Sequence, residues 1–301
     1  MLVVQGQHVL CMSLGGIEMS ESSQWKGYLI SYSSDSLLLQ SPYIHLDCSV
    51  YGPDSDSTTM AVAGIQYLQN QGHQINAIRL TESVDAKVVF MSTSVDSPQR
   101  NEKLDIATVD WYVVEGEEAT LVLSQSDAEH FEFDEPLGTE IMDADLFNDM
   151  NTAWEHECSM QHVSQGAYVS QSQYLEGGTA RLSLASQNFE GQIIWPPRQM
   201  DPFGNRLPRE EGLLSDTATV ESWTKLSAAG APSEFSLRAP ILGGIQTLLV
   251  KFDEGPRGVF LVCDDVDYSP TIGDKVEFSV RRIYAQEGLI RYGLKAIPST
   301  K

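Results

Sequence analysis

Apolar positions run through this chain in two rhythms. In the first half one helical period stands out. After the polar stretch GPDSDSTT, Ala61, Ile65 and Leu68 fall at i, i+4 and i+7, the stripe of an amphipathic helix. Ser57 is placed to cap its start, and Gly72 to stop it. Around it lie short apolar runs. Residues 75–80 predict a strand, and residues 86–93 (AKVVFMST) predict a second from their β-branched and apolar content. Residues 106–114 and 118–123 predict two more, joined at Glu115-Gly116-Glu117. The first fifty positions read as short strands and turns, with apolar patches at Val9-Leu10, Tyr28-Leu29-Ile30 and Leu37-Leu38-Leu39. From Ser124 to Ser186 the chain is polar, acidic and weakly periodic, with one helix near residues 144–154.

The second rhythm is that of strands. Residues 217–226, 247–252, 258–263, 275–282 and 289–296 predict five of them. Asp253-Glu254-Gly255-Pro256 is a hairpin turn, and Pro270 and Gly273-Asp274 break the next connection. Five short strands within about 85 residues predict a small Greek-key barrel of the OB type.

Charge narrows the function classes. The 301 residues carry 42 acids against 19 bases, a net charge of −23. Such a field repels DNA, RNA and anionic bilayers, so neither a nucleic-acid nor a membrane partner is expected. Four scattered cysteines (Cys11, Cys48, Cys158, Cys263) form neither a disulfide framework nor a metal tetrad, which predicts a reducing, cytoplasmic setting. The opening MLVVQGQHVLCMSLGG lacks a basic n-region and is a poor signal peptide. No run approaches the apolar length that spans a bilayer.

Candidate chemistry is sparse. His156, Glu157, Cys158 and His162 offer metal ligands without a clear fourth spacing. Asp264, Asp265 and Asp267 lack the glycine and terminal glutamate of a calcium loop, so a solvated turn is expected. Ser92, Ser222 and Ser227 sit in no nucleophile elbow. Gly243-Gly244 is followed by no phosphate-loop lysine, and LEGGTARL carries no cofactor signature. Arg198, Trp223, Arg238 and Arg257 are the side chains expected to face a ligand or partner. Trp195 is expected in the core.

Residues 186–205, SQNFEGQIIWPPRQMDPFGN, are laid out like a zinc ribbon: a turn, a strand at residues 193–195, a double proline and a second turn. With WPPR (195–198), TVESWT (219–224), KFDEGPRGVFLV (251–262) and IGDKVEFSV (272–280), the region from about 186 to 298 resembles the OB-fold proteins associated with acyl-CoA enzymes, which join a rubredoxin-like zinc ribbon to an OB fold. The positions where that family places cysteines hold Gln187, Glu190, Asp201 and Gly204. Three oxygen-bearing side chains and a glycine do not make a zinc site, so no zinc is expected. The ribbon is expected to be held by packing of Ile193, Ile194, Trp195 and Phe203.

GPDSDSTTMAVAGIQYLQNQGHQINAIRLTES (52–83) and residues 85–124 are similar to two blocks of hydroxymethylglutaryl-CoA synthase, a thiolase-fold family. The segment that carries the synthase's nucleophilic cysteine between those blocks is absent. Neither Cys48 nor Cys158 takes its place, and acyl transfer of this type needs that thiolate.

The fold expected is therefore α+β and multidomain. A truncated thiolase-like β/α region (1–185) precedes a metal-free ribbon (186–210) and a five-stranded OB barrel (211–301). If residues 74–123 form an exposed sheet, its edge requires a capping partner. The resemblances imply a non-catalytic scaffold. It would dock onto thiolase or hydroxymethylglutaryl-CoA synthase subunits and assist acyl-CoA binding or transfer in mevalonate-type lipid metabolism, without a cofactor of its own. The alternative is a divergent thiolase- or synthase-like acyltransferase acting by itself.

Overall fold

Local capping decides two helices of the N-terminal half. In the computed structural model, helix α1 spans Ser57–Asn70, and its cap is Asp56 rather than Ser57. The Asp56 carboxylate accepts from the Thr59 amide at 3.0 Å, while Thr59 Oγ1 accepts from the Asp56 amide at 2.9 Å, a reciprocal capping box. Gly72, with φ of 89°, follows the helix end as predicted. Residues 86–93 are not a strand. They form helix α2, Ala86–Thr93, because Asp85 caps it through the amides of Lys87 and Val88. An apolar run of eight residues fits either element by periodicity, and the cap breaks the tie. This also removes one of the strands on which the second synthase-like block rests.

The described residues are 2–5, 8–11, 23–33, 35–98, 109–116, 119–128, 130–133, 138–159, 177–207 and 210–299. They divide into two compact units, Met1–Asn148 and Asp149–Lys301. The fold is α+β and mostly β. Among the described residues no helix is long and apolar enough to cross a membrane.

The first unit holds strands β1 (Leu2–Gln5), β2 (His8–Cys11), β3 (Ser23–Trp25), β4 (Tyr28–Tyr32), β5 (Ser36–Gln40), β6 (Tyr43–His45), β7 (Cys48–Val50), β8 (Ile78–Arg79), β9 (Trp111–Glu115), β10 (Thr120–Ser124), β11 (His130–Phe133) and β12 (Glu140–Ile141). Its main sheet has the order β3-β4-β5-β10-β9-β8. In the central pair, Leu39 faces Leu121 and Leu38 faces Val122 across the ladder. Leu39 and Leu123 pack under Gly64 of α1, where an added Cβ would lie 2.7 Å from a methyl of each. Leu38 and Val122 point the other way, into a cluster with Phe131 and Phe133. Both faces are covered, which explains why Leu37-Leu38-Leu39 is continuous rather than alternating. The sheet ends in strands of three and two residues. Edges this short offer little template for pairing, so the sheet itself does not demand a capping partner.

The second unit contains β13 (Ala185–Phe189), β14 (Gln192–Ile194), β15 (Glu210–Leu213), β16 (Thr217–Leu226), β17 (Ile245–Phe252), β18 (Arg257–Leu261), β19 (Lys275–Gln286) and β20 (Leu289–Pro298). Helices α4 (Gly178–Leu182) and α5 (Arg238–Ile241) are short, and a longer helix, α3 (Ala144–Cys158), runs across the boundary between the units. The last five strands pair antiparallel in the order β18-β17-β16-β19-β20. A bridge between Val262 and Ala296 joins the third strand's end to the fifth, so the sheet curls toward closure. All five strands lie where the sequence placed them, with ends shifted by up to four residues. The barrel interior is aromatic. Phe252, Phe260 and Phe278 are buried and their rings meet within 4.4–6.1 Å.

Candidate functional site

The ribbon segment is a hairpin, β13 to β14, whose turn is Glu190-Gly191, both at positive φ. Trp195 follows it and stacks on Phe260 at 5.5 Å, with Phe252 at 5.8 Å. Gly258 permits that approach: a Cβ there would lie 2.7 Å from the Trp195 ring and 2.5 Å from Phe260. Packing of Trp195 therefore helps hold the ribbon, as expected, and Ile193 and Ile194 are half-buried in the strand before it. Phe203 does not contribute, being 89% exposed.

Hydrogen bonds organise positions where the resemblance would place cysteines. Gln187 is buried, and its Oε1 accepts from the Arg198 amide at 2.9 Å, tying the first strand to the chain after the double proline. Asp201 organises the second turn. Its Oδ1 accepts from the amides of Phe203 and Asn205, and its Oδ2 from the Asn205 side chain, each at 2.8 Å. The Asp201 amide donates to Asn205 O, and Gly204, with φ of 86°, donates back to Asp201 O. Glu190 is exposed and occupies the left-handed turn position. The four positions thus serve as turn-formers and hydrogen-bond partners.

The Asn205 side-chain amide holds the Asp201 carboxyl below its ordinary value of 3.8. A lowered folded-state value means that this carboxylate supports the turn at every pH above 3.8. The support is lost as pH falls through the lower folded value. The Phe203 and Asn205 amide resonances should accordingly shift together, with a common midpoint below pH 3.8. A common transition centred above 3.8 would contradict the carboxylate-centred turn.

A cleft of about 380 Å³ lies on the barrel, lined among others by Trp223, Lys225, Gly244, Val262, Asp264 and Tyr268. Trp223 is 46% exposed there. Gly244 is required by geometry. Its φ is 124°, and a Cβ would come within 2.7 Å of Leu226 O. The Tyr268 hydroxyl donates to Asp274 at 2.9 Å, and burial together with that bond pushes the phenol well above its ordinary value. It stays neutral and is no base at physiological pH.

Behind Asp264 lies a charge network that the sequence did not reveal. On α3, Met150, Ala153, Trp154 and Glu157 are buried at i, i+3, i+4 and i+7, a helical stripe that ends in an acid. Glu157 Oε1 accepts from Arg238 Nε at 2.8 Å, and its Oε2 from the Ala285 amide at 3.2 Å. Arg238 is fully buried, donates to Ile283 O at 2.6 Å, and sits 4.1 Å from the Trp154 ring, with Arg282 at 4.3 Å from the same ring. Its Nη1 lies 3.7 Å from Asp264 Oδ2, which accepts from Lys295 Nζ at 2.8 Å. Arg281 donates to Asp265 at 3.1 Å. Three buried cations, Arg238, Arg281 and Lys295, thus meet three carboxylates, Glu157, Asp264 and Asp265.

The predicted site residues do not converge. Trp223 lines the cleft. Arg238 is buried and reaches the cleft wall only through Asp264, so it does not face a partner from the surface. Arg257 is exposed, but its fork is occupied. It grips Glu221 at 2.6 and 3.0 Å, which raises the guanidinium's pKa and lowers the carboxyl's. Arg198 is exposed on the ribbon. Asp264 and Asp265 are ion-paired rather than a solvated turn. Glu157 is committed to Arg238, which removes it from the His156-Glu157-Cys158 ligand set, and His162 lies outside the described residues.

No family model and no curated protein matches this chain. Among solved structures it is similar to one described as an Ltp2-ChsH2(DUF35) aldolase, at 17% identity. The match covers 43% of this chain and 98% of that one, with a TM-score of 0.30. A likeness at that score carries no weight by itself, and the strand order stands on its own.

Proposed function

We propose that the chain is a non-catalytic, acyl-CoA-associated scaffold. Its second unit is read as an OB-type barrel bearing a metal-free ribbon, which docks onto thiolase-fold enzyme subunits and assists acyl-CoA binding or transfer. One observation carries the reading. A hairpin laid out like a ribbon is stacked through Trp195 on a five-stranded sheet whose third and fifth strands meet at Val262 and Ala296. This pairing of parts is what the sequence resemblance over residues 186–298 implies. The chemistry around the cleft supports a binding role over a catalytic one. Asp264 is neutralised by Lys295 and Arg238, and Tyr268 is held neutral against Asp274.

The test is purification of the tagged full chain from its native host at that host's ionic strength. Mass spectrometry then identifies what accompanies it, and the purified chain is assayed for acyl-CoA turnover. A thiolase-fold subunit in near-stoichiometric amount is the expected result. A chain that purifies alone and turns over acyl-CoA would overturn the reading.

A further inference from the structure

The second ribbon turn displays apolar side chains on a rigid frame. Phe203 is 89% exposed at its tip and Met200 is 59% exposed on its flank. Met200 pairs with Arg206 across the antiparallel turn, which puts both side chains on one face. Arg198 and Arg206 are exposed, and among the described residues neither guanidinium has an ionic partner. Between Trp195 and Leu207 the charges are Arg198, Arg206 and Asp201, a local balance of +1 in a chain of −23.

Two features set this turn apart from an incidental apolar surface. First, it is pre-organised. Three bonds to the Asp201 carboxylate and two backbone bonds fix the loop that carries Phe203, so little loop freedom remains to be lost on binding. Second, its charge is opposite to that of the chain, and an exposed aromatic flanked by arginines has the composition of an interface hot spot.

We propose that this turn is a docking element for a protein partner whose surface offers an apolar pocket for Phe203, rimmed by carboxylates that meet Arg198 and Arg206. A second copy of the chain is disfavoured as occupant. Two molecules of charge −23 repel, and a two-fold contact would set the arginines of one turn against those of the other. The inference rests on the scaffold reading only in requiring a protein partner.

The test places a photo-crosslinking benzoylphenylalanine at position 203 of the full chain in its native host, with position 259 as control. Val259 is also apolar and exposed, at 67%, but lies on barrel strand β18. The crosslinked peptide is sequenced, and the partner is then purified and titrated with the wild-type chain, Phe203→Ser, the double variant Arg198→Glu/Arg206→Glu, and Val259→Ser. Melting of each variant is followed to show that it folds. The expected adduct maps to an apolar peptide with neighbouring Asp or Glu. Phe203→Ser and the double charge reversal should each weaken binding by about tenfold or more, and Val259→Ser by less than about twofold. An absent adduct, an adduct with another copy of the chain, equal crosslinking from position 259, or unchanged binding by folded Phe203→Ser would each overturn the proposal. A thiolase-fold subunit that stays bound to Phe203→Ser overturns this inference and leaves the scaffold reading standing. An adduct with a partner of another fold does the reverse.

Discussion

Replacing Glu157 by alanine is expected to destabilise the second unit by about 3–5 kcal/mol, because it strands a fully buried guanidinium. Glu157 is 1% exposed and Arg238 is 0% exposed. With the carboxylate gone, Arg238 keeps the Ile283 carbonyl and the Trp154 face, and its nearest remaining carboxylate is Asp264 at 3.7 Å. The Ala285 amide also loses its acceptor. The informative comparison is the double replacement Glu157→Met with Arg238→Met, which removes both charges and keeps apolar volume. Buried pairs exchanged together for apolar residues are often neutral, so the double variant should be clearly more stable than Glu157→Ala. Denaturant unfolding of the three proteins, followed by tryptophan fluorescence, decides it. A single-variant loss below about 1 kcal/mol would mean that water reaches Arg238 and the pair behaves as a surface one.

That network also marks where sequence reading stops. The barrel strands were legible because each is a short, apolar-rich run bounded by turn residues, and the 253–256 turn marks one hairpin. The helix expected near 144–154 is present as α3, and residues 187–194 form a hairpin whose second strand lies at the strand expected over 193–195. What could not be read was partnership. Glu157 and Arg238 are separated by 81 positions, and Asp264 and Lys295 by 31. Each looks like an ordinary surface charge until the barrel closes. Glu157 carried one signal in hindsight, completing the Met150-Ala153-Trp154 stripe, and an acid on an apolar helical face calls for a buried cation. Residues 86–93 were misread for a different reason. Eight apolar-rich positions satisfy both periods, and the deciding hydrogen bonds come from Asp85, just outside the run. Phe203 was assigned to the ribbon's packing on hydrophobicity alone. The Asp201 turn that holds it in solvent depends on carboxylate geometry, which no apolar pattern encodes.

The aromatic centre of the barrel yields a second large expected effect. Phe252→Ala should cost about 3–5 kcal/mol, the range for deleting a buried aromatic. Phe252 is 0% exposed, and its ring meets Phe278 at 5.5 Å, Phe260 at 6.1 Å and Trp195 at 5.8 Å. It therefore belongs to two structures at once, the barrel interior and the seat on which the ribbon rests. If the ribbon is held mainly by this stack, Phe252→Ala should do more than lower the unfolding midpoint. Amides of the ribbon, Gln187 and Asn205 among them, should exchange faster in the folded protein, while those of the central barrel ladder stay protected until global unfolding. If it is held mainly by its own hydrogen bonds, through Gln187 and Asp201, the midpoint falls but ribbon exchange remains tied to the global transition. Native-state hydrogen exchange separates the two. The first outcome is expected, because the Gln187 and Asp201 bonds join ribbon residues to one another, whereas the Trp195 ring stacks on Phe260 and Phe252 of the barrel.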